Sequence, residues 1–282
     1  MPLIPKSPVS VRRQWLLGAL FVVCVFFLSP FLLLLHARRQ IALDHSLVGA
    51  VKKADAEAVE RLLNDGAEAN AQDKVVSSPS YWQVLVQMVK RKTQAANGDG
   101  PTCLNLTMET FIRGPYGWYA EPLDEANAKK IVSLLLSHGA RVDAQGPLRE
   151  YPLCVACRDL RWDTAELLVE HGANVNVKDE TNNTPLLYAA FHNGHPTAMF
   201  LLQHGANPNV QALADHWTPM MWAIVGHDTD LVKALIRYGA DINFQVPGLR
   251  GPKTPLSYAR FLGWCPDIVH VLVNAGAGRN IQ

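Results

Sequence analysis

The sequence predicts an all-α solenoid, about six helix-turn-helix units stacked side by side, preceded by one transmembrane helix. Three observations carry that expectation. Gly-Ala pairs recur at Gly66-Ala67, Gly139-Ala140, Gly172-Ala173, Gly205-Ala206, Gly239-Ala240 and Gly276-Ala277, with steps of 73, 33, 33, 34 and 37 residues between the glycines. A period near 33 residues marks a repeat array, in which each unit buries its apolar face only against its neighbours. Five of the six pairs close an apolar helical run such as Leu167-Leu168 or Leu201-Leu202. Ahead of the array, Trp15 to Leu35 is a run of 21 residues without a charge.

That run comes first in chain order. At about 1.5 Å per residue it spans roughly 30 Å, the thickness of a bilayer core. A helix that is apolar on every face for this length suits lipid better than a water-facing domain, and Pro30 is tolerated in such a setting. A cleaved signal peptide would have a shorter apolar region and small residues at its exit. Here the exit reads Leu35-His36-Ala37-Arg38-Arg39, which argues for an uncleaved anchor. Lys6, Arg12 and Arg13 precede the span and Arg38 and Arg39 follow it. The positive-inside rule then leans toward a cytoplasmic N-terminus. The expected organisation is a head over 1–14, a signal anchor over 15–35, a linker over 36–44 and a repeat domain over 45–279. The expected location is a bacterial inner membrane, with the repeats on the periplasmic rather than the cytoplasmic side.

The clearest unit reads Thr184-Pro-Leu-Leu-Tyr-Ala-Ala190, then a turn at Asn193-Gly194, then a second helix with Leu201 and Leu202, then Gly205-Ala-Asn-Pro-Asn209. Thr184 can cap the helix that Pro185 starts, since proline fits a first turn that needs no N–H. Ala189 and Ala190 allow close packing, and Gly205 ends the second helix. The pattern resembles the ankyrin repeat: TPLHLAA, then GH, LL, GA and N. Thr218-Pro-Met-Met-Trp-Ala-Ile224 and Thr254-Pro-Leu-Ser-Tyr-Ala259 repeat it, and Tyr151-Pro-Leu-Cys-Val-Ala-Cys157 is a degenerate copy. The resemblance covers about residues 45 to 279.

Two units depart from the pattern. The first, Leu47 to Asn70, has both helices but lacks TPL, as terminal units often do. The second is split, with Tyr81 to Arg91 expected as its first helix and Glu125 to Ser137 as its second. The insertion between them, 92–124, carries Phe111, Tyr116, Trp118 and Tyr119. Aromatics are sparse in a floppy spacer. The insert therefore reads as a partner-contacting loop, with a brace packed on the solenoid as the alternative.

Composition narrows the function. Lys and Arg number 26 against 25 Asp and Glu, a net charge of +1 with no basic stripe, which argues against nucleic-acid binding. Five cysteines, Cys24, Cys103, Cys154, Cys157 and Cys265, form no disulfide framework. Cys154-Val-Ala-Cys157 invites a redox or zinc reading, but no second such pair exists and both positions fall in small helix-packing slots. Asn105-Leu-Thr107 is a glycosylation sequon, meaningful only in a eukaryotic secretory protein. His138, His171 and His204 each precede Gly-Ala. Units stack roughly 8–10 Å apart, too far for such a ladder to share a zinc held at about 2 Å. No phosphate loop, nucleophile elbow or metalloprotease motif appears. No catalytic residue, cofactor, metal or small-molecule substrate is expected, and the chain is read as not an enzyme.

The resemblance implies a partner protein, met by the finger tips and the exposed end of each first helix. Carried over position by position, it nominates Arg158, Asp159, Glu180, Thr181, Asn183, Phe191, His192, Asp215, Trp217 and Phe261. Tyr116, Trp118 and Tyr119 of the insert join them. Trp222, Tyr188 and Tyr258 fall at an inward slot and are expected in the core. The expected function is a membrane-anchored protein-interaction module that tethers or occludes its partner, such as an immunity protein against an envelope-targeting toxin. A cytoplasm-facing scaffold and an envelope factor in oxidative-stress defence are the alternatives. The lipid bilayer is the second expected partner, through residues 15–35.

Overall fold

The computed structural model describes residues 29–72, 102–110, 125–146, 150–214, 216–246, 254–263 and 265–278. Among them are twelve helices and no strand, with an isolated bridge between Gln72 and Thr102. In chain order they are α1 (Ser29–Lys52), α2 (Ala56–Asn64), α3 (Cys103–Thr110), α4 (Glu125–Ser137), α5 (Pro152–Arg158) and α6 (Trp162–Glu170). Then follow α7 (Pro185–Phe191), α8 (His195–Gln203), α9 (Pro219–Val225), α10 (Thr229–Arg237), α11 (Pro255–Leu262) and α12 (Pro266–Asn274). Odd-numbered helices pack on one another in sequence, even-numbered helices do the same, and each odd helix packs on the even one that follows it. The result is two rows of helices joined as six pairs.

Local chemistry explains the ends of α7, α8, α10 and α11. In α7 the Thr184 hydroxyl accepts from the Leu187 amide at 3.3 Å, and Pro185 occupies the first turn. Thr254 and Ser257 form a reciprocal capping box at α11. Asp228 caps α10 by accepting from the Leu231 amide at 2.8 Å. Gly205 ends α8 at φ +87°, where a side chain would be strained. Between the rows, Ala156, Ala189, Ala223 and Ala259 are fully buried, and their small size lets successive helices approach.

A ladder of asparagines stitches the units together at the helix ends. Asn70, Asn176 and Asn209 donate from Nδ2 to the carbonyls of Gly139, Gly205 and Gly239 at 2.9–3.0 Å. Their Oδ1 atoms accept from the amides of Arg141, Asn207 and Asp241, each at 2.7 Å. Each amide group thus satisfies an orphan helix-end carbonyl and a loop N–H of the next unit. Asp143 replaces asparagine at the second rung and accepts from the Asn174 amide at 3.2 Å. A carboxylate has no N–H to give the carbonyl.

Two expectations are corrected. Residues 36–44, expected as a linker, are helical within α1. Gln40 donates to the Gly66 carbonyl at 2.8 Å and Asp44 accepts from the Glu68 amide at 2.9 Å. The segment caps the end of α2, which is why it folds back on the first unit. The second correction concerns the second unit. The helix in its first-row place, between α1 and α5, is α3, which lies inside the expected insertion 92–124. Its side chains from Cys103 to Met108 are all buried. Cys103 and Leu106 join the core of the first unit, while Leu104 and Met108 join the core running on to α12. Thr102 accepts from the Asn105 amide at 3.3 Å, the same three-residue spacing by which Thr184 caps α7. The stretch expected as that first helix, 81–91, lies outside the described residues. The sequon residue Asn105 is only 5% exposed and packed between units.

The apolar span of 15–35 lies largely outside the described residues. Among the described residues no helix is long and apolar enough to cross a membrane.

The turn between paired helices holds a residue in the left-handed region: Ala54 (φ +53°), Leu160 (+62°), Asn193 (+55°) and His227 (+57°). Asparagine tolerates that region; leucine does not. Leu160 is also 51% exposed, so little packing opposes its removal. Leu160→Asn is expected to raise stability by about 1 kcal/mol, read as an upward shift of the urea midpoint. An unchanged or lower midpoint would contradict the strain at this turn.

Candidate protein-binding surface

Each unit offers two slots on one face of its first helix, counted from the capping position of TPLHLAA. The fourth residue after that position is Val155, Tyr188, Trp222 or Tyr258, and the seventh is Arg158, Phe191, Val225 or Phe261. Residues three apart on a helix lie on the same side, so stacking turns these slots into two adjacent columns. The columns form one aromatic stripe over units four to six. Phe191 meets Trp222 edge-on, with centroids 4.6 Å apart and planes at 86°. Trp222 lies 4.5 Å from Trp217, Trp217 lies 5.5 Å from Tyr258, and Tyr258 lies 6.4 Å from Phe261. Phe191 is 50% exposed and Phe261 71%.

Trp222, Tyr188 and Tyr258 were expected in the core, and the structure half-exposes all three. The neighbouring alanines set a helix spacing too tight to swallow a large ring. One edge of each ring rests on the core and the other supports the stripe.

At the end of the stripe nearer unit three, the surface becomes charged. Arg158 donates through Nη1 to Glu150 and through Nε to Asp159, the latter at 3.2 Å. Burial works against its charge, and the bonds to Asp159 and Glu150 outweigh that and raise its pKa. Tyr188 donates its hydroxyl to Asp179 at 2.5 Å. Burial and that bond push its own pKa up. Asp179 also accepts from the amides of Thr181 and Asn183 at 2.8 and 2.9 Å and from the Thr181 hydroxyl. The finger of unit four is therefore held in shape before any partner arrives. It is tied to the next finger by Leu213 N–H donating to Thr181 O at 3.0 Å and Asn182 Nδ2 donating to Gln211 O at 2.6 Å. His192 follows Phe191, their rings 4.6 Å apart, and burial lowers its pKa.

The structure brings together most of the residues nominated from the sequence. Phe191, Trp217 and Phe261 lie on the stripe, and His192 borders it. Arg158, Asp159, Thr181 and Asn183 are engaged in the polar network, and Glu180 is exposed beside them. Tyr116, Trp118, Tyr119 and Asp215 lie outside the described residues. Leu213, 59% exposed at the tip of the fifth finger, went unnominated. Its signal was its place beside Asp215 in a loop with no helical period.

The cysteines and histidines occupy structural positions. Cys103, Cys154, Cys157 and Cys265 are buried free thiols. Burial pushes the Cys154 and Cys157 thiols far above their usual range. His138, His171 and His204 each place Nδ1 at 2.8–2.9 Å from the carbonyl four residues earlier, those of Leu134, Leu167 and Phe200. They cap their own helix ends. Among the described residues no group of three or more His, Cys, Asp or Glu is placed to hold a metal.

The comparisons agree with this geometry. Family models described as ankyrin repeats match residues 123–212 and 189–236. An ankyrin repeat domain from Acinetobacter baumannii AYE is similar in fold, with a TM-score of 0.57 and 22% sequence identity. The match covers 82% of this chain and 97% of that one. No curated protein matches the chain. Residues 123–236 thus match ankyrin repeats, and the helix pairs at a period near 33 residues, the Thr-Pro helix starts and the glycine-ended second helices carry the same pattern on to α12.

Proposed function

We propose that the chain is a non-catalytic interaction module that binds a partner protein through the aromatic stripe of units four to six. The observation that carries this reading is a set of large rings left exposed along one face, continuous across three units and rigidly backed. Aromatic side chains in such settings supply a large share of binding energy at interfaces. The measurement is capture of interacting proteins by the full-length chain in detergent, compared with the Phe191→Ala/Phe261→Ala double variant. Both side chains are exposed, so the variant should keep its helical circular dichroism. Recovery of the specific partner is expected to fall about 30-fold or more, since two anchor truncations cost roughly 2 kcal/mol or more together. Equal recovery would remove the stripe from the interface.

The placement we propose follows from the uncharged run of 15–35: a signal anchor in a bacterial inner membrane with the repeats on the periplasmic side. The interaction would then hold or occlude its partner at the membrane surface, in the manner of an immunity protein facing an envelope-acting toxin. A C-terminal alkaline-phosphatase fusion reads the side directly, being active only outside the cytoplasm. An inactive but stable fusion would favour the cytoplasm-facing scaffold.

A further inference from the structure

The charges around the stripe narrow the partner's chemistry. At the unit-three end, Glu150, Asp159 and Asp179 lie around Arg158, and Lys178 and Glu180 flank Asp179 in the chain. Arg158 is already held by Glu150 and Asp159. The Oδ2 of Asp159 is buried and has no hydrogen-bond partner among the described residues, so its negative charge is not directly neutralised there, while Glu180 is exposed and open to a partner. His192, the ring at the junction, has its protonated form disfavoured by burial, so it offsets little of the negative charge at neutral pH. Beyond the junction the surface consists of aromatic rings, whose faces attract cations rather than anions.

We infer that the stripe takes an extended partner segment carrying a lysine or arginine beside apolar side chains. The cation sits at the acidic end near Asp159 and Glu180, and the apolar residues lie across Phe191, Trp222 and Phe261. This inference rests on the reading of the stripe as the contact surface. The path crosses three unit-to-unit steps of roughly 8–10 Å. That is a span of about eight residues in extended form at about 3.3 Å each. An acidic or phosphorylated segment would meet like charge at one end and lose affinity there.

The test pans a random 12-residue phage-displayed peptide library against the full-length chain in detergent. The selected peptides are then measured on wild type, Glu180→Lys, Asp159→Asn and Phe191→Ala. Expected are peptides enriched in Lys or Arg next to aromatic or aliphatic residues. Glu180→Lys, an exposed change that leaves folding alone, should weaken them about fivefold. Raising salt from low to high should weaken them roughly threefold, as exposed charge pairs are screened. Peptides without basic residues that are lost on Phe191→Ala but indifferent to Glu180→Lys and Asp159→Asn would overturn the cationic partner and leave the stripe standing. Peptides indifferent to Phe191→Ala as well would overturn both. Failure to enrich any peptide above the bare support would overturn the extended-segment inference, while the protein-capture comparison still reports on the stripe separately.

Discussion

In the folded protein, Cys103, Cys154, Cys157 and Cys265 are expected to react with Ellman's reagent at least about a thousandfold more slowly than in denaturant. All four are buried, and the attacking species is the thiolate. Burial disfavours that anion at Cys154 and Cys157, so reaction must wait for opened molecules, present at a fraction of about 10⁻³ or less. The measurement uses a Cys24→Ser background, so that the signal comes from these four. Burst labelling of Cys154 or Cys157 would reinstate the C-x-x-C as a redox pair and revive the oxidative-stress alternative. The same burial has a sign in pH. A thiol whose folded pKa lies above its unfolded value of about 9.0 contributes stability that is complete below that value. The contribution is lost as pH rises beyond it, so the stack should weaken above about pH 9.

Leu201→Ala is expected to cost about 3 kcal/mol, within the range of buried leucine truncations. Leu201 is fully buried in α8, in the cluster that runs from α3 to α12. Solenoid units draw stability from their neighbours, so the loss should also loosen the interfaces with α6 and α10. Urea unfolding followed by circular dichroism at the helical band reads the effect, with Leu213→Ala as the exposed control expected within about 0.5 kcal/mol of wild type. A cost for Leu201→Ala no larger than the control's would show that the rows are not packed as described.

Much of the architecture was legible in the chain. The Gly-Ala period marked the second-helix ends, and the Thr-Pro pairs marked the starts of α7, α9 and α11 residue by residue. Those signals are local: a cap, a proline in a first turn and a glycine at a helix end depend on a few neighbours only. The second unit was legible only in part. The segment CLNLTM carries no 3.6-residue apolar pattern, because a helix flanked on both sides by other helices is buried all round. Periodicity reports a boundary with water, and α3 has almost none.

The binding stripe divides along the same line. The sequence alone nominated Phe191, Trp217 and Phe261, because slot positions in a repeat determine which side chains point outward. It sent Trp222 and Tyr258 inward for the same reason. Only the packed structure left them half out, since the spacing between helix rows is fixed by the alanines across the interface. The charge at the stripe's end was also a tertiary outcome. Glu150, Asp159 and Asp179 are scattered along the chain, and they become one acidic neighbourhood only when units three and four stack. Short-range capping and turn chemistry is written in contiguous residues, so the sequence determined the number and order of the units. Exposure and charge grouping depend on distances between residues far apart in the chain, and those were decided by the stacking.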